Sequence, residues 1–183
     1  MNDVLQVLMT IVRTFNQMRL PYVVMGGMAV RAHAIPRPTQ DVDFTAALNR
    51  DQLPLFFQLV MDAGFTVPES YLSGWVDQVA GMPLVKLRMF LGQHGVDVDI
   101  FLAESDFQQS ALSRRERCEV DEVSCDIVSP EDLILFKLIA NRPRDLVDVA
   151  DILFVQGQLD ETYMRHWASE LRILERLESA LDA

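Results

Sequence analysis

Two stretches of the chain, TQDVDFTA at 39–46 and VDVDIFL at 96–102, alternate carboxylates with apolar residues. In an extended strand, side chains two apart point the same way. Asp41 and Asp43 therefore share one face, while Val42 and Phe44 share the other and can be buried. The same holds for Asp97 and Asp99. A chain carrying both stretches needs a sheet with one apolar face, and two neighbouring strands can present up to four carboxylates on one surface. Carboxylates that close raise one another's pKa and, when ionised, need a positive partner. A divalent cation with oxygen ligands supplies one. The competing reading is a solvated strand face.

Composition narrows the class. The 183 residues suffice for one domain with a core, and 50% of them are apolar, which argues against disorder. The apolar runs fall short of the roughly 18 residues of a membrane span. The N-terminal MNDVLQVLMTIVRTFNQ lacks the basic start and cleavage site of a signal peptide, so no membrane partner and a cytoplasmic location are expected. The net charge of −11 disfavours phosphate-led nucleic-acid binding over the whole surface. RRER at 114–117 reads as solvated surface, and NRPR at 141–144 as a second local basic stretch. Cys118 and Cys125 flank EVDEVS, a hairpin or bend, and read as free thiols. No Cys or His spacing resembles a zinc site.

Periodicity predicts a helix over 3–19, stopped by Pro21, then a buried strand at 22–25. Gly26-Gly27 reads as a turn before a short helix at 28–34, which IPRP breaks. A helix over 51–65 has Pro54 in its first turn. Strands follow at 84–90 and 96–102 around the turn LGQHG, a helix at 105–114, and two short strands within 117–128. Ser129 and Pro130 then open a helix with an N-cap and acids in its first turn. A second helix spans PRDLVDVADILFVQG, and ETYMRHWASELRILERLESAL predicts a third with Met164, Trp167, Leu171, Leu174 and Leu181 as a core stripe. The fold class expected is α+β: one domain over 1–183, with a core at 1–128 and a C-terminal helical segment at 129–183 packed on it.

Gly26-Gly27, then DVDF at 41–44, then an aspartate on a later strand resemble, in that order, the nucleotidyltransferase superfamily with the polymerase-beta-like core. RPTQDVDF, DIFLAESDF and PEDLILFKLIANRPRDLVDVADIL are similar to segments of the AbiE-type toxins and related small bacterial nucleotidyltransferases. The likeness spans about residues 20–155. It implies a nucleotidyltransferase-like mixed sheet flanked by helices and a Mg2+-dependent enzyme, with Mn2+ as an alternative. Gly26 and Gly27 would hold nucleotide phosphates. Asp41, Asp43 and Asp99 would be the catalytic metal ligands, with Asp97 as alternate for the third. Lys137 would face the same cleft and touch the nucleotide, with Arg142 beside it; the other reading of Lys137 is a solvent-facing lysine. Asp145 and Asp148 resemble a family segment in which Arg144 replaces the usual lysine. Arg37 or Thr39 would position the metal loop. His33 reads as a structural histidine and His94 as a turn residue.

The activity so implied moves a nucleotidyl group from a nucleoside triphosphate to a hydroxyl acceptor, which is RNA, protein or a small molecule. A toxin role with a cognate antitoxin protein is one setting for it. The rival reading is a catalytically silent nucleotide-binding or protein-interaction module with the same fold.

Overall fold

The computed structural model describes residues 3–120 and 123–182. The chain runs α1 (Asp3–Met18), β1 (Tyr22–Met25), α2 (Gly26–His33), β2 (Asp41–Ala46), α3 (Leu53–Asp62), β3 (Phe65–Thr66), α4 (Glu69–Leu72), β4 (Asp77–Val79), β5 (Met82–Leu91) and β6 (His94–Leu102). Next come α5 (Asp106–Ser113), β7 (Glu116–Val120), β8 (Val123–Ile127), α6 (Pro130–Ala140), α7 (Pro143–Gln156), α8 (Glu161–Glu170) and α9 (Leu174–Leu181). The strands form one mixed sheet in the order β3-β5-β6-β2-β1-β8-β7, with β4 paired to β5. The pairs β2–β6 and β1–β8 are parallel and the remaining pairs antiparallel. Strands 22–25, 84–90 and 96–102 thus join the strand of Asp41 and Asp43 in one sheet, as the alternation predicts.

The apolar face of the two acidic strands is buried. Val42, Phe44, Val98 and Ile100 have no exposed surface. Phe44 meets Phe15 of α1 edge-on at 5.3 Å between ring centroids, and Phe15 stacks on Tyr22 at 5.2 Å and on Phe56 of α3 at 5.7 Å. Offset and edge-on rings at such distances contribute beyond their buried area. Because Phe44 is anchored under α1 and α3, its neighbours Asp41 and Asp43 are turned to the other side of the sheet. Register is locked here, since a slip of one residue would bury the acids.

Two expectations change. Gly26 and Gly27 are the first residues of α2 rather than a turn before it. The C-terminal segment is two helices, α8 and α9, separated at Leu171–Ile173, where Arg172 has φ 58°. That break resets the helical phase. Leu177 becomes fully buried while Leu174 is left 38% exposed, so the stripe through Leu174 is not one core seam. Apart from these, α6 is not amphipathic. Pro130 and Asp132 through Leu138 are all buried, as for a helix wrapped by protein on every side. Cys118 and Cys125 are free and sit opposite each other on the paired strands β7 and β8; residues 121–122 lie outside the described residues. No helix among the described residues is long and apolar enough to cross a membrane.

Candidate functional site

The parallel pairing of β2 and β6 sets Asp41 beside Asp97 and Asp43 beside Asp99, on strands about 4.8 Å apart. The four carboxylates share a face but have different partners. Thr39 Oγ1 donates to Asp41 Oδ1 at 2.7 Å. Lys86 Nζ donates to Asp99 Oδ2 at 2.8 Å, and Arg88 Nη2 to Asp97 Oδ2 at 2.6 Å. Asp43 makes no hydrogen bond or ion pair among the described residues. Burial first, and then the charges of Asp41 and Asp99, together push its carboxyl up to about 7 against the opposing pull of Lys137 and Arg142. Among the described residues neither Asp41 nor Asp43 is paired with a cation, and Asp43 lacks even the hydroxyl partner that Asp41 has.

Gly26 explains how Asp43 fits. Its φ is 61°, and a Cβ placed there would lie 1.8 Å from Asp43 Oδ2. A Cβ on Gly27 would lie 2.5 Å from Thr39 Oγ1. The glycine pair lets the start of α2 close onto the acidic loop, so no side chain can intervene. Gly26→Ala should cost about 1–2 kcal/mol for the left-handed backbone alone and turn the Asp43 carboxyl aside. Chemical denaturation and activity, measured together, check this; a variant with parent stability and activity would contradict it.

Two chambers meet at these residues. The first, about 470 Å3, is lined by Gly26, Gly27, Thr39, Asp41 and Asp43, and by the cations Arg37, Lys137, Arg142 and Arg144. The second, about 390 Å3, shares Gly26, Asp43, Lys137 and Arg142 with it and adds Asp99 and Lys86. Asp97 lines neither, so the third acid that faces the cleft is Asp99.

A buried ionic network holds the cations. Asp148, 1% exposed, accepts from Arg37 Nε at 2.7 Å, Arg37 Nη2 at 2.8 Å and Lys137 Nζ at 2.6 Å. Asp145, also 1% exposed, accepts from Lys137 Nζ at 3.1 Å and Arg142 Nε at 2.7 Å. Lys137 itself is 5% exposed. The solvent-facing reading of Lys137 is therefore overturned: a helix buried on all sides carries its lysine inward, where it must find carboxylates. Asp145 does more than favour a helix start, because it orients both Lys137 and Arg142.

The remaining candidates fall away from the cleft. His33 is buried, with Nε2 2.7 Å from the Val128 carbonyl oxygen, a structural role. His94 sits at an exposed hairpin end. Arg31 lines neither chamber. The basic run 114–117 is consumed by ion pairs: Arg114 to Glu131 and Asp132, and Arg115 and Arg117 to Asp126. Lys86 escaped the sequence reading, although a signal existed. A two-residue hairpin turn between Leu91 and His94 puts Lys86 opposite Asp99 and Arg88 opposite Asp97, each a charge-matched pair.

The oxygen-only donors suit a hard cation such as Mg2+ or Mn2+. The uncompensated Asp43 between Asp41 and Asp99 is where such a charge is wanted. As the side chains stand, no three acidic, His or Cys groups among the described residues are gathered to hold a metal, and Asp99 is engaged by Lys86. The donor chemistry fits, and completing the set requires Asp99 to exchange Lys86 for the cation.

No family model and no curated protein matches the sequence. Solved structures do. The antibiotic-resistance factor ANT(2'')-Ia superposes with TM-score 0.59 at 15% identity, over 97% of this chain and 99% of that one. The lincosamide antibiotic adenylyltransferase LnuA, lincomycin-bound, gives TM-score 0.51 at 17% identity, over 83% of this chain and 96% of that one. An antigenic nucleotidyltransferase-like protein from Paracoccidioides brasiliensis gives 0.51 at 20% identity, over 100% and 94%. The mixed sheet, with its flanking helices, is the nucleotidyltransferase-like fold.

Proposed function

We propose that the protein is a nucleotidyltransferase that moves a nucleotidyl group from a nucleoside triphosphate, with Mg2+, to a hydroxyl acceptor. The observation that carries this is Asp43: an unpaired acid with its carboxyl raised to about 7 between Asp41 and Asp99, at the junction of two chambers, one of them walled by cations. A fold needs no such arrangement. A cation and a triphosphate together neutralise it.

The chain's own groups divide the work. Arg37, Arg142 and Arg144, with Lys137 behind them, face the triphosphate; fixed cations in a partly dry site stabilise charge that develops on phosphoryl oxygens. Asp145 and Asp148 hold Arg37, Lys137 and Arg142 in place, so little reorganisation accompanies reaction. Asp41, positioned by Thr39, and Asp43 would hold Mg2+, with Asp99 as third ligand and as the acid nearest the acceptor. The bound ion supplies Lewis-acid polarisation of the phosphate. The acceptor oxygen loses its proton to solvent water and forms a bond to the α-phosphorus, the bond to pyrophosphate breaks, and pyrophosphate leaves with the electron pair.

The test is incubation with each labelled nucleoside triphosphate, Mg2+, and separate RNA, protein and small-molecule acceptors. Label transfer with pyrophosphate release is expected. A Mg2+- and nucleotide-dependent rise in melting temperature without any transfer would instead assign the silent binding module. The toxin setting with its antitoxin is a further proposal that rests on the resemblance of the Arg-x-Thr-x-Asp segment at 37–41 alone. It predicts growth arrest on expression, lost in Asp41→Asn; unarrested growth with a transfer-competent protein would exclude it.

A further inference from the structure

The second chamber differs in kind from the first. Its walls are Met25, Val79, Met82, Phe101, Leu133 and Phe136. Phe101, Leu133 and Phe136 are core residues, 8%, 0% and 4% exposed, so this wall is preformed. One lip is the β4–β5 turn, where Ala80 and Gly81 both have positive φ, 51° and 78°, as in the tight hairpin turns that fix two strands rigidly. Val79 and Met82 pair across that turn. The chamber's volume, about 390 Å3, lies within the roughly 300–1,000 Å3 of small-molecule sites.

Its charges are already spoken for. Lys86 is paired with Asp99, and both Lys137 and Arg142 with Asp145. Asp43 is the unpaired charge. A polycation needs several free carboxylates and would meet one. A polyanion needs several free cations; it would meet at most Lys86, released when Asp99 turns to the cation, and it would approach a chain of net charge −11. An uncharged molecule with an apolar body loses nothing by entering, and drives water off the aromatic and aliphatic walls.

We propose, building on nucleotidyl transfer at this site, that the second chamber takes the acceptor and that the acceptor is a small uncharged alcohol with an apolar body. The cationic chamber holds the donor, and the two open onto each other at Asp43. The acceptor hydroxyl, placed by Asp43 and Asp99, attacks the α-phosphorus, its proton goes to solvent water, and pyrophosphate departs. The product is a nucleotidyl ester of the alcohol.

The probes are n-alkyl glucosides below their micelle concentrations, tobramycin and total transfer RNA, each titrated into the full chain by calorimetry and then offered as acceptors with Mg2+ and all four labelled nucleoside triphosphates. Affinity for the glucosides should rise about fourfold per added methylene, and label should pass to them in preference to tobramycin or RNA. Val79, 45% exposed on the lip, tolerates a charge without disturbing the core. Val79→Asp should weaken octyl glucoside binding about tenfold while the melting shift from Mg2+ and nucleotide stays at the parent value. Affinity independent of chain length, a Val79→Asp variant that binds octyl glucoside as the parent does, or label on tobramycin or RNA, overturns the proposal. Those results with a normal nucleotide shift overturn the acceptor class alone, whereas a parent with no nucleotide shift overturns the transfer reading beneath it.

Discussion

Asp43→Asn is expected to lower transfer by about a thousandfold or more, since in the proposed function it removes a charged metal ligand, a loss that costs several kcal/mol in the transition state. The same substitution should stabilise the protein without metal. The unfolded chain releases the Asp43 proton near the ordinary value of 3.8, and the folded chain only at about 7. Between those values the folded state binds more protons, so stability falls as pH rises through this window and levels off above it. Asparagine has no proton to lose. Its variant should match the parent near pH 4 and exceed it at pH 8, by an amount on the order of a few kcal/mol at most. Mg2+ with nucleotide should raise the parent's melting temperature, by binding the folded state alone, and raise the variant's much less. Melts at the two pH values, with and without Mg2+ and nucleotide, decide the matter. A variant that melts well below the parent at pH 8 would make Asp43 a structural acid.

Much of the site was legible because it rests on period-two strands. Asp41 with Asp43, and Asp97 with Asp99, could each be placed on one face from alternation alone, and the two-residue hairpin even encoded the pairing of Asp99 with Lys86. Features set by tertiary contact were not legible. Arg172 breaks the C-terminal helix in a left-handed conformation with no glycine to announce it. The lip of the second chamber, β4, is three residues long, too short for any periodicity. Gly26 could be recognised as a close-approach glycine. What approaches it is the carboxylate of Asp43, seventeen positions later, which no local pattern reveals.

Lys137 is buried against Asp145 and Asp148, so its removal reaches the fold as well as the cleft. Lys137→Met should unfold more easily by about 3 kcal/mol, the lower end of the cost of breaking a buried ion pair, because Arg37 and Arg142 still hold Asp148 and Asp145. Transfer should fall as well, since both arginines are aimed through the carboxylates that Lys137 joins. Burial alone would raise the carboxyls of Asp145 and Asp148. Hydrogen bonds from the arginines and Lys137 outweigh it and hold both below the ordinary value. A depressed folded pKa contributes stability that is present above the unfolded value and disappears as pH falls through the folded one. This network therefore fails in acid, the opposite direction to Asp43, and the parent's stability should peak between the two limbs. In Lys137→Met the acid limb should begin at higher pH, as the two carboxyls move back up. Pairing it with Asp148→Asn should recover part of the lost stability, because the second change removes a charge the first left under-compensated. Urea denaturation across pH 3–8 for the parent, both single variants and the double gives the coupling directly. Strict additivity, with the acid limb unmoved, would mean that Lys137 and Asp148 are near neighbours without a shared energetic role.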